Sequence, residues 1–167
     1  MLWNRLFKPI VLYYTIMAVA VFDSRNIKGT VLFRETRTKV IVSAFFTKLP
    51  AGEHGFHIHE AGDLREKGCM GACSHFDNSE EPQNHGGPPG TPGQRHTGDL
   101  GNISLVGGKC EQEYILKGLQ LSDLYGRSMI VHADKDDYGL GGFEDSLKTG
   151  HAGARIACAI IGRAKGC

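Results

Sequence analysis

A chain of 167 residues is long enough for one domain with a substantial core and short for two. Apolar residues at 41%, charged residues at 22% and a formal net charge of +1 describe an ordinary globular protein. That balance lacks the electrostatic footprint of a nucleic-acid or acidic-membrane binder, so partners have to be argued from individual sites. The departures from average usage are 23 glycines and 8 histidines, and the five cysteines leave at least one thiol without an intrachain partner.

The first segment, "MLWNRLFKPIVLYYTIMAVAVF", carries Arg5 and Lys8 ahead of an apolar run from Pro9 to Phe22. The run is too short for a membrane-spanning helix, which needs about 20 apolar residues. Ala18-Val19-Ala20 resembles a signal cleavage site, but a cut after Ala20 would divide "TIMAVAVF", whose alternation reads as a first strand. The favoured reading starts the domain at Met17 and leaves residues 1–16 as an extension. A signal peptide is the alternative.

Period-two alternation then recurs in "KGTVLFRET", "KVIVSAFFTKL", "EHGFHIHEA", "LGNISLVGG", "CEQEYILKGL", "GRSMIVHAD" and "ARIACAIIGR". Eight short strands without a convincing amphipathic helix predict an all-β antiparallel barrel or sandwich. Two long segments, 62–98 and 134–153, break the strand rhythm, and loops of that length inside a domain are usually functional or disordered.

The histidines favour function. His57 and His59 stand two apart on a predicted strand, so both project to one face while Ile58 points to the other. His132, on a later strand, together with His75 completes a nitrogen-rich set of the kind copper accepts. His75, His85 and His96 lie in the first long segment, with Asp99 three residues after His96. Three nitrogens and one carboxylate make a closed tetrahedral set suited to zinc, whose binding would offset the entropy of ordering a Pro/Gly-rich loop. A zinc-finger pairing of Cys69, Cys73, His75 and His85 fits less well, because its histidines are too far apart.

Taken together, "HGFHIHEAGD", "SHF", "NHGGP", "RHTGDLGNI", "GRSMIVHADKDDYGLGG" and "SLKTGHAGARIACAIIG" resemble the eukaryotic-type copper/zinc superoxide dismutases, in the right order and from about Met17 to Ile161. The resemblance implies an eight-stranded Greek-key barrel that converts two superoxide anions to oxygen and hydrogen peroxide. It implies copper on His57, His59, His75 and His132, and zinc on His75, His85, His96 and Asp99, with His75 shared and active in proton delivery. Asp136 matches the carboxylate that hydrogen-bonds one histidine of each metal site; the plainer reading is a turn aspartate. Arg155 matches the arginine that attracts and orients the anion. Cys69 and Cys158 match the intrasubunit disulfide, leaving Cys73, Cys110 and Cys167 as thiols.

Lys148, Thr149, Glu144 and Asp145 match residues at the channel mouth. The sequence departs from the family pattern at Ala133-Asp134-Lys135, where an acid followed by lysine is common; the lysine is displaced by one position, which predicts weaker steering. His54 reads as structural and His151 as a surface residue. A homodimer is implied, although Ala61, Arg163 and Lys165 alter the segments that family dimers bury. A copper metallochaperone is a further implied partner, and neither nucleic acid nor membrane is. The domain is expected over 17–167 in the cytoplasm, or in a secreted protein if residues 1–20 form a signal peptide. The rival to the enzyme is a noncatalytic family member that sequesters copper.

Overall fold

The computed structural model describes residues 17–165. The proposed extension at residues 1–16 and the thiol of Cys167 lie outside the described residues. Strands β1 (Met17–Asp23), β2 (Lys28–Glu35), β3 (Lys39–Lys48), β4 (His54–His59), β5 (Asp99–Ile103), β6 (Cys110–Lys117), β7 (Ser128–His132), β8 (Arg155–Ile160) and β9 (Gly162–Arg163) form two antiparallel sheets. Their orders are β6-β3-β2-β1-β9 and β5-β4-β7-β8. The eight expected strands are all present. The ninth arises because the last segment changes sheets at Ile161: β8 pairs with β7, whereas Gly162 and Arg163 pair with Val19 and Ala18 of β1. That crossing joins the two sheets along one seam, as a barrel requires.

The alternation of each strand decides what the barrel encloses. On β1 it buries Ala18, Ala20 and Phe22 and leaves Val21 exposed. Phe22 and Phe46 lie 5.3 Å apart, and Phe46 meets Phe56 edge-on at 5.7 Å, in the offset geometries that aromatic rings prefer. Burying such a side chain contributes about 1.5–3 kcal/mol.

β4 is different, because all six of its residues are buried. Phe56 and Ile58 belong to the barrel core, so His57 and His59 point outward, where the long segments cover them. The first segment stitches itself to that strand: Phe76 N–H donates to Ile58 O at 2.8 Å, Ile58 N–H to Gly98 O at 2.9 Å, and His59 bridges to His75. Among the described residues, helical structure is confined to short turns at Lys67–Ala72 and Leu121–Asp123 and a one-turn helix α1 (Ser146–Thr149).

Candidate metal centre

Three elements deliver the first cluster. His57 and His59 come from the outer face of β4, His132 from the end of β7, and His75 from the loop bridged to β4; all four are buried. One nitrogen from each lies within 4.8 Å of the others. His57 Nδ1, His59 Nε2, His75 Nε2 and His132 Nε2 are also buried without any hydrogen-bond partner. Buried polar atoms are nearly always paired, so four unpartnered nitrogens converging on one point are a donor set that fits a metal ion.

Their opposite nitrogens are all anchored. His57 Nε2 meets Asp136 Oδ2 at 2.8 Å, His59 Nδ1 meets Cys73 O at 2.9 Å, His132 Nδ1 meets Gly153 O at 3.1 Å, and His75 Nδ1 meets Asp99 Oδ1 at 2.8 Å. Such anchoring fixes the ring orientation and the tautomer that leaves the free nitrogen as a lone pair. Desolvation, reinforced by neighbouring rings, lowers the His132 pKa to about 4 and that of His59 to about 2. These rings are neutral at physiological pH and ready to coordinate.

The second cluster gathers His75, His85, His96 and Asp99, again within 4.8 Å. Asp99, at the start of β5 opposite His57, turns Oδ1 toward His75 Nδ1 at 2.8 Å, His85 Nδ1 at 3.0 Å and His96 Nδ1 at 3.3 Å. Its Oδ2 accepts backbone N–H groups from Gly86 (3.0 Å) and His96 (2.8 Å). Burial would raise the Asp99 carboxyl, but hydrogen bonds from the three imidazoles prevail and hold it well below the usual range. His75 thus directs one ring nitrogen into each cluster.

Asp136 ties the clusters together. Fully buried, it presents Oδ2 to His57 and Oδ1 to His85 Nε2 at 2.8 Å, and Oδ1 also accepts Tyr138 N–H at 2.7 Å. Desolvation acts against the charged His85 ring, yet the carboxylates of Asp136 and Asp99 outweigh it and raise its pKa to about 9. Three supports escape the sequence reading. Asn102 on β5 clamps the Asp136 backbone, accepting its N–H at 2.7 Å and donating to its carbonyl at 2.9 Å. Arg95 donates to the carbonyls of Gly87, Thr97 and Asp99, holding the first loop around the carboxylate. Gly150, at φ +66°, lies so close that a Cβ would overlap both Asp136 Oδ1 and His85 Nε2. Asparagine inside a strand was the only local hint, since it is poorly suited to that position.

Arg155 begins β8 beside His132. Its Nη1 donates to Cys69 O at 2.9 Å and Met70 O at 3.3 Å, and its Nη2 to Cys73 O at 2.6 Å. The Cys69–Cys158 disulfide is formed, pinning the same loop to β8. Cys73 is a free exposed thiol and Cys110 a free buried one. Lys148 and Thr149 sit on α1 in the second long segment, preceded by Glu144 and Asp145. The displaced Lys135 is taken up by Glu53, 2.6 Å away. His54 Nδ1 lies 2.9 Å from His132 O and 3.0 Å from Ala133 O, which fits its structural reading. His151 is exposed, pairs with Asp145 at 2.7 Å and stacks on Phe143.

A four-imidazole pocket sharing one ring with a three-imidazole, one-carboxylate pocket on a β-barrel wall defines a protein built for two neighbouring transition-metal ions. The family model described as copper/zinc superoxide dismutase (SODC) matches residues 27–161. A Cu-Zn superoxide dismutase of Paramecium bursaria Chlorella virus 1 is 46% identical over 155 residues, covering 90% of this chain and 80% of the viral protein. An extracellular Cu-Zn superoxide dismutase of Brugia pahangi is 41% identical over 156 residues, covering 88% of this chain and 75% of the other. The crystal structure of the clock protein EA4 superposes with a TM-score of 0.77 at 37% identity, covering 89% of this chain and 94% of that one. The chain belongs to the copper/zinc superoxide dismutase family. Its cofactors are copper and zinc, and its substrate is the superoxide anion.

Proposed function

We propose that His57, His59, His75 and His132 hold copper and that His75, His85, His96 and Asp99 hold zinc in a dismutase that works through this chain's own proton and anion handling. The observation that carries the assignment is the set of four buried, unpartnered nitrogens, one on each copper-side ring. Bound copper supplies the one-electron exchange by which one superoxide leaves as oxygen and the next as peroxide. The residues supply the rest. His75 Nδ1 is committed to the Asp99 side, so Nε2 is the atom that takes up a proton and delivers it to the departing peroxide. Asp136 keeps His57 and His85 oriented, and so couples the two pockets.

Arg155 is the residue proposed to draw and orient the anion. Its three hydrogen bonds to loop carbonyls hold the guanidinium in place beside the strand that carries His132. A fixed cation at a cleft raises anion on-rates by about tenfold or more. Lys148 assists from the second loop, while Lys135, tied to Glu53, contributes little. The test is dismutation by protein loaded with both metals, beside Arg155→Ala, across ionic strength. The expected result is a fast rate that falls with salt, about tenfold lower in the variant and less salt-sensitive. Full copper occupancy with no turnover would overturn the enzyme in favour of a copper-sequestering protein.

The domain is proposed to span residues 17–167. A homodimer is proposed around Leu64, Tyr125 and Ile160, since Gly62 packs against Gly126 and Ile160, and Leu64 and Ile160 are exposed. Arg163 stands over the Tyr125 ring at 5.1 Å, shielding part of that surface with charge; sedimentation at graded concentration measures the resulting affinity. Delivery of copper by a metallochaperone and residence in the cytoplasm complete the reading. Fractionation of cells expressing the full chain separates cytoplasmic from secreted protein.

A further inference from the structure

Cys73 is a third cysteine, a free thiol four residues after Cys69 of an existing disulfide, and nothing in the metal centre uses its sulfur. Cys69 lies within the turn Lys67–Ala72, and Cys73 caps that turn, its N–H donating to Met70 O at 3.2 Å. The Arg155 guanidinium donates to the backbone carbonyls of both Cys69 and Cys73, so one planar side chain holds the main chain of the two cysteines, four residues apart in a single turn. Cys69 and Cys158 are each only half-buried and Cys73 is exposed, which leaves the bridge open to attack and the thiol free to act. The backbone at the thiol is also unusual. Cys73 has φ 61° and ψ −147°, a region that essentially only glycine visits without strain, and Cys69 also has a positive φ of 61°. The turn keeps this form because Arg155 and the Cys69–Cys158 bridge hold it from both sides.

We infer that Cys73 competes with Cys158 for Cys69, so that the loop exists in two disulfide registers. The Cys73 thiol gives its proton to solvent and its sulfur attacks Cys69 Sγ. The Cys69–Cys158 bond breaks as the Cys69–Cys73 bond forms, and Cys158 leaves as a thiolate that takes a proton from solvent. One disulfide and one thiol stand on each side, so no oxidant is consumed. In the first register an 89-residue separation is closed and the loop is fastened to β8. In the second the bridge is local, the loop is no longer fastened, and the carbonyls that anchor Arg155 and His59 lose their fixed frame.

The experiment uses full-length protein loaded with copper and zinc, incubated in glutathione buffers of graded poise, quenched with an alkylating agent and mapped by non-reducing peptide mass spectrometry. The expected result is a peptide linked through Cys69 and Cys73 in chains whose Cys158 is alkylated, lost completely in Cys73→Ser and Cys73→Gly. Two variants are used because serine keeps the unfavourable backbone geometry and glycine relieves it. The inference is overturned if Cys158 becomes alkylated only when Cys69 does too, or if Cys73 is merely alkylated or glutathionylated while the Cys69–Cys158 bridge stays intact. Mapping reads sulfur connectivity directly, so its outcome is independent of whether the protein turns over superoxide.

Discussion

Asp136→Asn separates the two metal pockets in a way the geometry dictates. Oδ1 of Asp136 accepts both from His85 Nε2 and from Tyr138 N–H, whereas Oδ2 accepts from His57 Nε2 alone. An asparagine keeps its one acceptor where two donors converge, and its NH2 then faces the His57 ring. Two donors meet there in a fully buried place, at a cost of about 1–3 kcal/mol. The strain is relieved if His57 moves its proton to Nδ1, the orphaned nitrogen, which any metal then has to displace. Loss of such an orienting partner lowers metal affinity by about 10–100-fold. The expected outcome is a copper affinity weakened by that factor and a zinc affinity that changes much less. Competition titration with chelators, run for each metal separately, measures both. Equal losses, or a loss confined to zinc, would refute the argument from Tyr138.

Further outcomes rest on other contacts. Cys158→Ser removes a bridge spanning 89 residues, worth about 4–5 kcal/mol by chain entropy, and is expected to lower the melting temperature by about 10–20 °C in calorimetry. Cys73→Gly exchanges strained geometry for a residue that tolerates it; after the extra unfolded-state entropy of glycine, denaturant titration is expected to show a gain of about 1 kcal/mol. The metal-free chain is expected to lose stability as pH falls from 6.5 through about 4, because His132 is neutral when folded and protonated when unfolded. That ring alone contributes about 3 kcal/mol, and His59 extends the loss toward pH 2. His85 has the opposite sign: its stabilisation is complete below 6.5 and disappears as pH rises through about 9. Denaturation midpoints of metal-free protein that stay flat across the acid range would contradict both rings' burial effect.

What the sequence made legible follows from local periodicity. The alternation around "HGFHIHEA" placed His57 and His59 on one face, and β4 has that arrangement, with Phe56 and Ile58 in the core. The two breaks in strand rhythm marked the loops that cover them. Long-range contacts left no such trace. The disulfide and the role of Asp136 came from resemblance to a family, since the residues alone read as leftover thiols and a turn aspartate. Asn102 contacts Asp136 across 34 residues, and no periodicity encodes that meeting. The ninth strand leaves no local signal for a related reason: Gly162 and Arg163 continue an apolar run whose change of sheet depends on β1, far away in the chain.

Gly150 touches no metal pocket in the ordinary sense, having no side chain to offer, and its importance lies in the volume it leaves empty. Because any β-carbon there would overlap the carboxylate and the ring that join the two pockets, alanine is as foreign at this position as tryptophan. A saturation library scored for metal retention should therefore rank residue 150 among the least permissive in the chain. Searches for functional positions by side-chain chemistry alone would pass over it.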